Sequence, residues 1–251
     1  MNDLTNWLMV FLRASSMLAV FPVFSARNFP VQLRLALGAL LAGMVAATLP
    51  ANAVQATDFL GLAGQMAVEV GIGLTIGFSC RIIFFTLEIA GSIISMEIGL
   101  SMPPGINPMS DAPMTTTASI LYYLAVVLWL SLDMHHWMLI GFQKTYLYVP
   151  IGAAHLSQTL VTDMIARTGG MFAVALQMAA PLLAVSFIVS LVFTVLGRAV
   201  PQMNVFSESF AVRPLVGLSA FGLTLDLMAQ HIMNYLHQLP EDLLRVAQTF
   251  H

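Results

Sequence analysis

Apolar residues fall in long runs separated by short polar punctuation. The first run covers residues 7–24, with Arg13 inside it and Pro22 near its end, and a polar turn follows at 25–30. Twenty-three uncharged residues separate Arg34 from Asp58, their apolar part ending at Leu49-Pro50. The next run, 59–100, carries Glu69, Arg81, Glu88 and Glu97. Residues 102–113 hold four prolines and a glycine, which force turns and extended backbone. Twenty-one uncharged residues then lead from Asp111 to Asp133, and a weaker apolar segment ends at Val149-Pro150. An amphipathic stretch at 155–167 precedes thirty uncharged residues between Arg167 and Arg198, with Pro181 near their middle. Thirty helical residues measure about 45 Å, longer than a hydrocarbon core of about 30 Å, so that run is either one long helix or a bent or broken pair. The last run, 214–239, precedes a short amphipathic tail at 240–251. The pattern predicts about six apolar helices, several of them bent or broken.

Composition sharpens this into a class. Of 251 residues, 8% are charged and 59% hydrophobic, and the mean hydropathy is +0.87. Soluble proteins carry about 25% charged residues. So few charges cannot cover a surface in water, which excludes a soluble enzyme and a disordered chain. A net charge of −3 offers no basic footprint for nucleic acid. The expected fold class is therefore an all-α integral membrane protein, one domain over 1–251. The single cysteine, Cys80, excludes an intrachain disulfide framework and a cysteine-based metal site. The start, Met1-Asn2-Asp3, lacks the basic leader of a signal peptide. Arg27 and Arg34 flank one connection and Arg198 and Arg213 another, while 51–58 has no cation. The positive-inside bias puts the first two connections towards the cytoplasm and the amino terminus outside.

Ionisable residues in apolar runs are the first candidates for chemistry, because each costs roughly 2.5 to 3.5 kcal/mol to insert. Glu69, Arg81 and Glu88 are the buried-charge candidates, with Glu97 beside them. Arg81 and Glu88, seven apart, share a helix face. A proton or ion relay and a satisfied interhelical contact both fit, and the absence of an ordered series of carboxylates or histidines favours the contact. His135 and His136 are adjacent and point about 100° apart, unlike a chelating i,i+4 pair, so no metal site is expected. No convincing catalytic set is present, and no cofactor is implied. Gly73 and Gly77 have the small-xxx-small spacing of close helix packing. The loop at 102–113 cannot face lipid, because its peptide groups would lack hydrogen bonds. It is either a surface connection or a re-entrant element that occludes a passage, with Met102 and Met109 as adaptable contacts.

The segment Leu196-Gly197-Arg198-Ala199-Val200-Pro201-Gln202-Met203-Asn204-Val205-Phe206 resembles the signature of the FliR family of flagellar export-gate proteins, related to the SctT injectisome proteins. Ala180-Pro181-Leu182, Met96-Glu97-Ile98-Gly99-Leu100-Ser101, Asp133-Met134-His135-His136-Trp137 and Phe21-Pro22-Val23-Phe24 resemble further motifs, so the resemblance runs nearly end to end. Glu97 stands where the family usually has glutamine, and Ser207-Glu208-Ser209-Phe210 and Arg213-Pro214 depart from its pattern.

The resemblance implies a non-enzymatic channel subunit of the type III export gate in the bacterial inner membrane at the flagellar basal body. It implies assembly with FliP-like and FliQ-like subunits beside FlhB-like and FlhA-like proteins, contact with membrane lipid, and passage of unfolded export substrates. The loop of Met102, Pro103, Pro104, Gly105, Ile106, Asn107, Pro108 and Met109 matches the family's pore plug. Glu97, Gly99, Pro181, Arg198, Pro201, Gln202, Asn204 and Phe206 are its motif and subunit-packing residues. An injectisome subunit and a stand-alone secondary transporter are the alternatives, the transporter with Glu69, Arg81, Glu88 and Glu97 in its path.

Overall fold

A computed structural model of the chain describes residues 2–25, 29–49, 59–101, 114–152, 157–202 and 204–250. All regular structure among them is helical: α1 (Asn2–Val20), α2 (Pro22–Ser25), α3 (Val31–Ala46), α4 (Phe59–Glu97), α5 (Thr116–Ser131), α6 (Met134–Tyr148), α7 (Gln158–Ala199) and α8 (Val205–Gln248). The three longest, α4, α7 and α8, are apolar enough to cross a membrane, and the α5–α6 pair forms a bent, broken span. The fold is thus the expected all-α membrane class. The break between α5 and α6 is at Asp133, the one non-glycine residue with positive φ among the described residues.

Proline does not break the long helices. α7 runs through Pro181 for 42 residues, and α8 begins nine residues before Pro214 and includes the tail beyond Pro240. An interior proline costs about 3 kcal/mol. Burial outweighs that cost: Ala179 and Leu182 flank Pro181, and Leu239, Leu243, Val246 and Ala247 bracket and follow Pro240, all buried. At about 1.5 Å per residue each of the three helices is roughly 60 Å long, about twice a hydrocarbon core.

The chain divides into two compact units. Unit 1 comprises residues 1–83, 130–168 and 236–251. Its core includes Met9, Met17, Phe21, Ile72, Ile76, Phe142, Leu236 and Val246. Arg13 on α1 and Glu69 on α4 are fully buried there and form a two-pronged pair: Nε donates to Oε2 at 2.6 Å and Nη2 to Oε1 at 3.0 Å. Nη1 donates to Thr145 Oγ1 at 3.4 Å, and both Nη atoms donate to the Val149 carbonyl at 3.1 Å. The Gly152 amide donates to Glu69 Oε1, and the Arg13 guanidinium lies 4.0 Å from the Tyr146 ring centre. A guanidinium has five N–H donors. Each has an acceptor here, so α1, α4 and the end of α6 are tied at one point.

Gly73, one turn along α4 from Glu69, lets the two backbones approach. A Cβ there would collide with the Arg13 carbonyl and Ser16 Oγ, and one at Gly77 would lie 2.6 Å from the Met17 carbonyl. The Gly73–Gly77 spacing therefore packs α4 on α1 within the chain. At the far ends, Arg167 of α7 pairs with Asp163 (2.6 Å) and with Asp242 of α8 (2.8 Å).

Unit 2 comprises residues 84–129 and 169–235. Phe84, Leu87, Ala90, Ile94, Leu121, Trp129, Ala175 and Phe221 are among its buried residues. Gly91 of α4 meets the Ala118 backbone of α5 where a Cβ would not fit, and Thr117 Oγ1 donates to the Gly91 carbonyl at 2.5 Å.

Breaking the Arg13–Glu69 pair from one side leaves a buried charge uncompensated, which costs about 3–5 kcal/mol. Arg13→Leu and Glu69→Leu alone should each sharply lower the thermal midpoint of the detergent-solubilised chain, and the double variant should recover much of the loss; a double variant no better than the singles contradicts this account. Gly73→Ala should destabilise by about 1–3 kcal/mol through overpacking. Gly71→Ala, whose Cβ would meet nothing within 4 Å, should leave the same midpoint unchanged or raised.

Candidate functional site

The motif residues lie mostly in unit 2, where α4 ends. Gly99 adopts φ 76° and closes the helix: its amide donates to the Met96 carbonyl at 3.2 Å and that of Leu100 to the Ser95 carbonyl at 2.9 Å. This is a Schellman cap, and its left-handed position suits glycine. The cap stops α4 immediately before 102–113. Met102, Pro103, Pro104, Gly105, Ile106, Asn107, Pro108 and Met109, the expected plug, lie outside the described residues.

Glu97, on the last turn of α4, is half-buried. Ser186 of α7 donates to its carboxylate Oε2 at 2.9 Å and lies 3.2 Å from its carbonyl. One turn on, Ser190 donates to the Ser186 carbonyl at 2.8 Å and accepts from Arg213 Nη2 of α8 at 2.9 Å. Glu97, Ser186, Arg213 and Gly217 share a small cleft with Ile98 and Leu182, of about the size of one water. Arg213 Nε is buried without a hydrogen-bond partner. At Gly217 a Cβ would collide with the Ile98 side chain. Three helices therefore meet around a carboxylate and a guanidinium linked through two serines. Glu97 and Arg213, far apart in sequence, line one cleft. Pro181 sits half-buried on α7, five residues before Ser186.

The connection from α7 to α8 carries the densest motif. Arg198 is in the last turn of α7, where a cation opposes the negative end of the helix dipole. Pro201 and Gln202 form an exposed turn, which fits the usual place of proline just beyond a helix end. Asn204 caps α8, its Oδ1 accepting from the Ser207 amide at 3.3 Å, and Glu208 occupies the first turn. Phe206 is in the same first turn. Arg198, Pro201, Gln202 and Asn204 are all exposed, so none of them supports this chain's own core.

The buried-charge candidates separate. Glu69 is the fully buried partner of Arg13. Arg81 is half-buried and uses Nη1 on Ser25 Oγ (3.2 Å) and the Val20 carbonyl (3.4 Å), while Glu88 is half-buried in unit 2. Arg81 and Glu88 thus fall in different units. Sequence reasoning left out Arg13 as the partner of Glu69, although its position inside an apolar run was the available signal. It also left out Ser186 and Ser190, which carry no signal of their own.

The comparisons with known proteins agree with these motifs. Residues 4–239 match the family described as "Bacterial export proteins, family 1". The chain is 29% identical over 252 residues to the flagellar biosynthetic protein FliR of Pectobacterium carotovorum, covering 96% of this chain and 95% of the relative. It is 28% identical to FliR of Escherichia coli K12 (95% and 94% covered). To FliR of Caulobacter vibrioides it is 30% identical, with 87% of each chain covered. The α7–α8 signature and these near end-to-end similarities lead to one conclusion: the chain belongs to family 1 of the bacterial export proteins, the family of FliR.

Proposed function

We propose that the chain acts over its whole length as a structural channel subunit of the flagellar type III export gate in the inner membrane, and that it is not an enzyme. The match of residues 4–239 to the export family carries this reading. Its physical support is the unsatisfied apolar surface. The most apolar stretches of α7 and α8 are largely exposed, with Leu176, Phe187, Val195, Leu215 and Leu223 all outward. Helices of roughly 60 Å are too long for lipid alone to cover. Neighbouring subunits, FliP-like and FliQ-like, cover the remainder, with FlhB-like and FlhA-like proteins beside them.

In this reading the plug is the segment 102–113, and gating is passive. A methionine-bearing loop whose one charged residue is Asp111, near its end, seals a narrow conduit through weak apolar contacts, and an unfolded export substrate displaces it. The Schellman cap at Gly99 supports the assignment, because it ends α4 at a fixed place and hands the chain to the loop. Energy comes from elsewhere in the apparatus. A stand-alone transporter finds little support, because Arg13 and Glu69, the fully buried charges among the described residues, have every guanidinium donor committed.

Solubilised in mild detergent, the chain should copurify with FliP-like and FliQ-like proteins in a complex whose intact mass accounts for several subunits. A stable lone chain that moves a small solute would overturn the reading. Deleting residues 102–113 should raise the ion leak of the assembled gate, and Met109→Asp should act in the same direction; unchanged conductance in both would remove the plug assignment while leaving the subunit assignment intact.

A further inference from the structure

We propose that Asp133, His135 and His136 form a binding site for one late first-row divalent cation such as Zn²⁺ or Ni²⁺. Ligand atoms from the three residues all lie within 4.8 Å of one another. His136 Nδ1 is 3.6 Å and His135 Nε2 4.0 Å from Asp133 Oδ1, and the two imidazole rings are 4.1 Å apart, centre to centre. With bonds of about 2.0–2.2 Å to the ion, donors in a tetrahedral shell lie about 3.4 Å apart. Small side-chain rotations would therefore close the set around one ion.

The convergence departs from the simple helical expectation for adjacent histidines, and its cause is local. Asp133 immediately precedes α6 in the left-handed conformation, φ 54° and ψ 25°, and makes no capping hydrogen bond to the helix. Its carboxylate instead stands beside both rings. His136 is three residues on, the spacing that brings side chains to one helix face. His135 swings its ring onto that of its neighbour.

The donor set selects the ion. Two imidazoles and one carboxylate suit zinc, nickel or copper, whereas magnesium and calcium favour all-oxygen shells. Three protein ligands leave coordination positions for water or for a donor from another chain, as in open zinc sites. All three residues are at least partly exposed, so the ion can enter from solvent. This inference does not rest on the export-gate reading: it needs only this turn.

The test is titration of the full chain, solubilised in mild detergent and purified without a polyhistidine tag, with Zn²⁺ against a chelating dye. Co²⁺ absorption then reports the ligand geometry. One Zn²⁺ per chain is expected, together with Co²⁺ d–d bands. His135→Ala and His136→Ala should each weaken binding by more than the ~10-fold that loss of even an outer-shell partner costs. Asp133→Asn, which keeps a residue tolerant of the left-handed conformation, should also weaken it. Unchanged helical circular dichroism in each variant separates lost binding from lost folding. Equal Zn²⁺ uptake by the wild type and the His135→Ala/His136→Ala double variant would overturn the proposal, and so would a wild-type chain that takes up no Zn²⁺ at all.

Discussion

A guanidinium and a carboxylate removed from water each lose several kcal/mol of solvation, so the Arg13–Glu69 pair can exist only where geometry returns nearly all of it. That demand organises unit 1. The fork of Arg13 needs a carboxylate on one side and a free carbonyl on the other. The carbonyl of Val149 is free because α6 ends at Tyr148. The α6 terminus is therefore fixed by a residue more than 130 positions earlier in the chain. Gly73 belongs to the same constraint. Without its missing side chain, α1 could not come close enough to α4 for Arg13 to reach Glu69. Close approach and charge pairing are two aspects of one contact.

Unit 2 solves a related problem with weaker means. Glu97 and Arg213 do not meet directly; two serines on successive turns of α7 relay the polarity between them. Serine hydroxyls can donate to one group and accept from another, so a single helix face gives the Glu97 carboxylate a donor and Arg213 Nη2 an acceptor, while Arg213 Nε stays buried without a partner. Glycine again permits the approach, here Gly217 against Ile98. Both units rely on the rule that governs polar groups in an apolar medium: they are admitted where neighbouring helices supply partners.

The all-α membrane class was legible from the sequence because it follows from sums, few charges and long apolar runs, that no local detail can reverse. The motif segments were legible as a resemblance. Helix boundaries were less so. Pro181 and Pro240 look like breaks in the chain, yet Leu182 on one side and Leu243 on the other bury enough apolar surface to carry helices through them. Such burial depends on residues far away in sequence. Partner choice was the least legible: Glu69 was visible as an expensive residue, but its pairing with Arg13 across 56 positions was not. Ring placement at the adjacent histidines was also not legible, since helical spacing fixes where Cβ points and leaves the rings of His135 and His136 free to rotate to 4.1 Å from each other, centre to centre.

The outward faces of α7 and α8 bear on the life of the protein in the cell. Leu223 on α8 and Phe187 on α7 are large apolar side chains exposed on these faces, where water is a poor neighbour. A partner that binds only the folded form shifts a chain toward its native state by mass action. In the assembly proposed above, the folded fraction of the chain would rise with the supply of its partners, and copies left without them would be open to quality-control proteolysis.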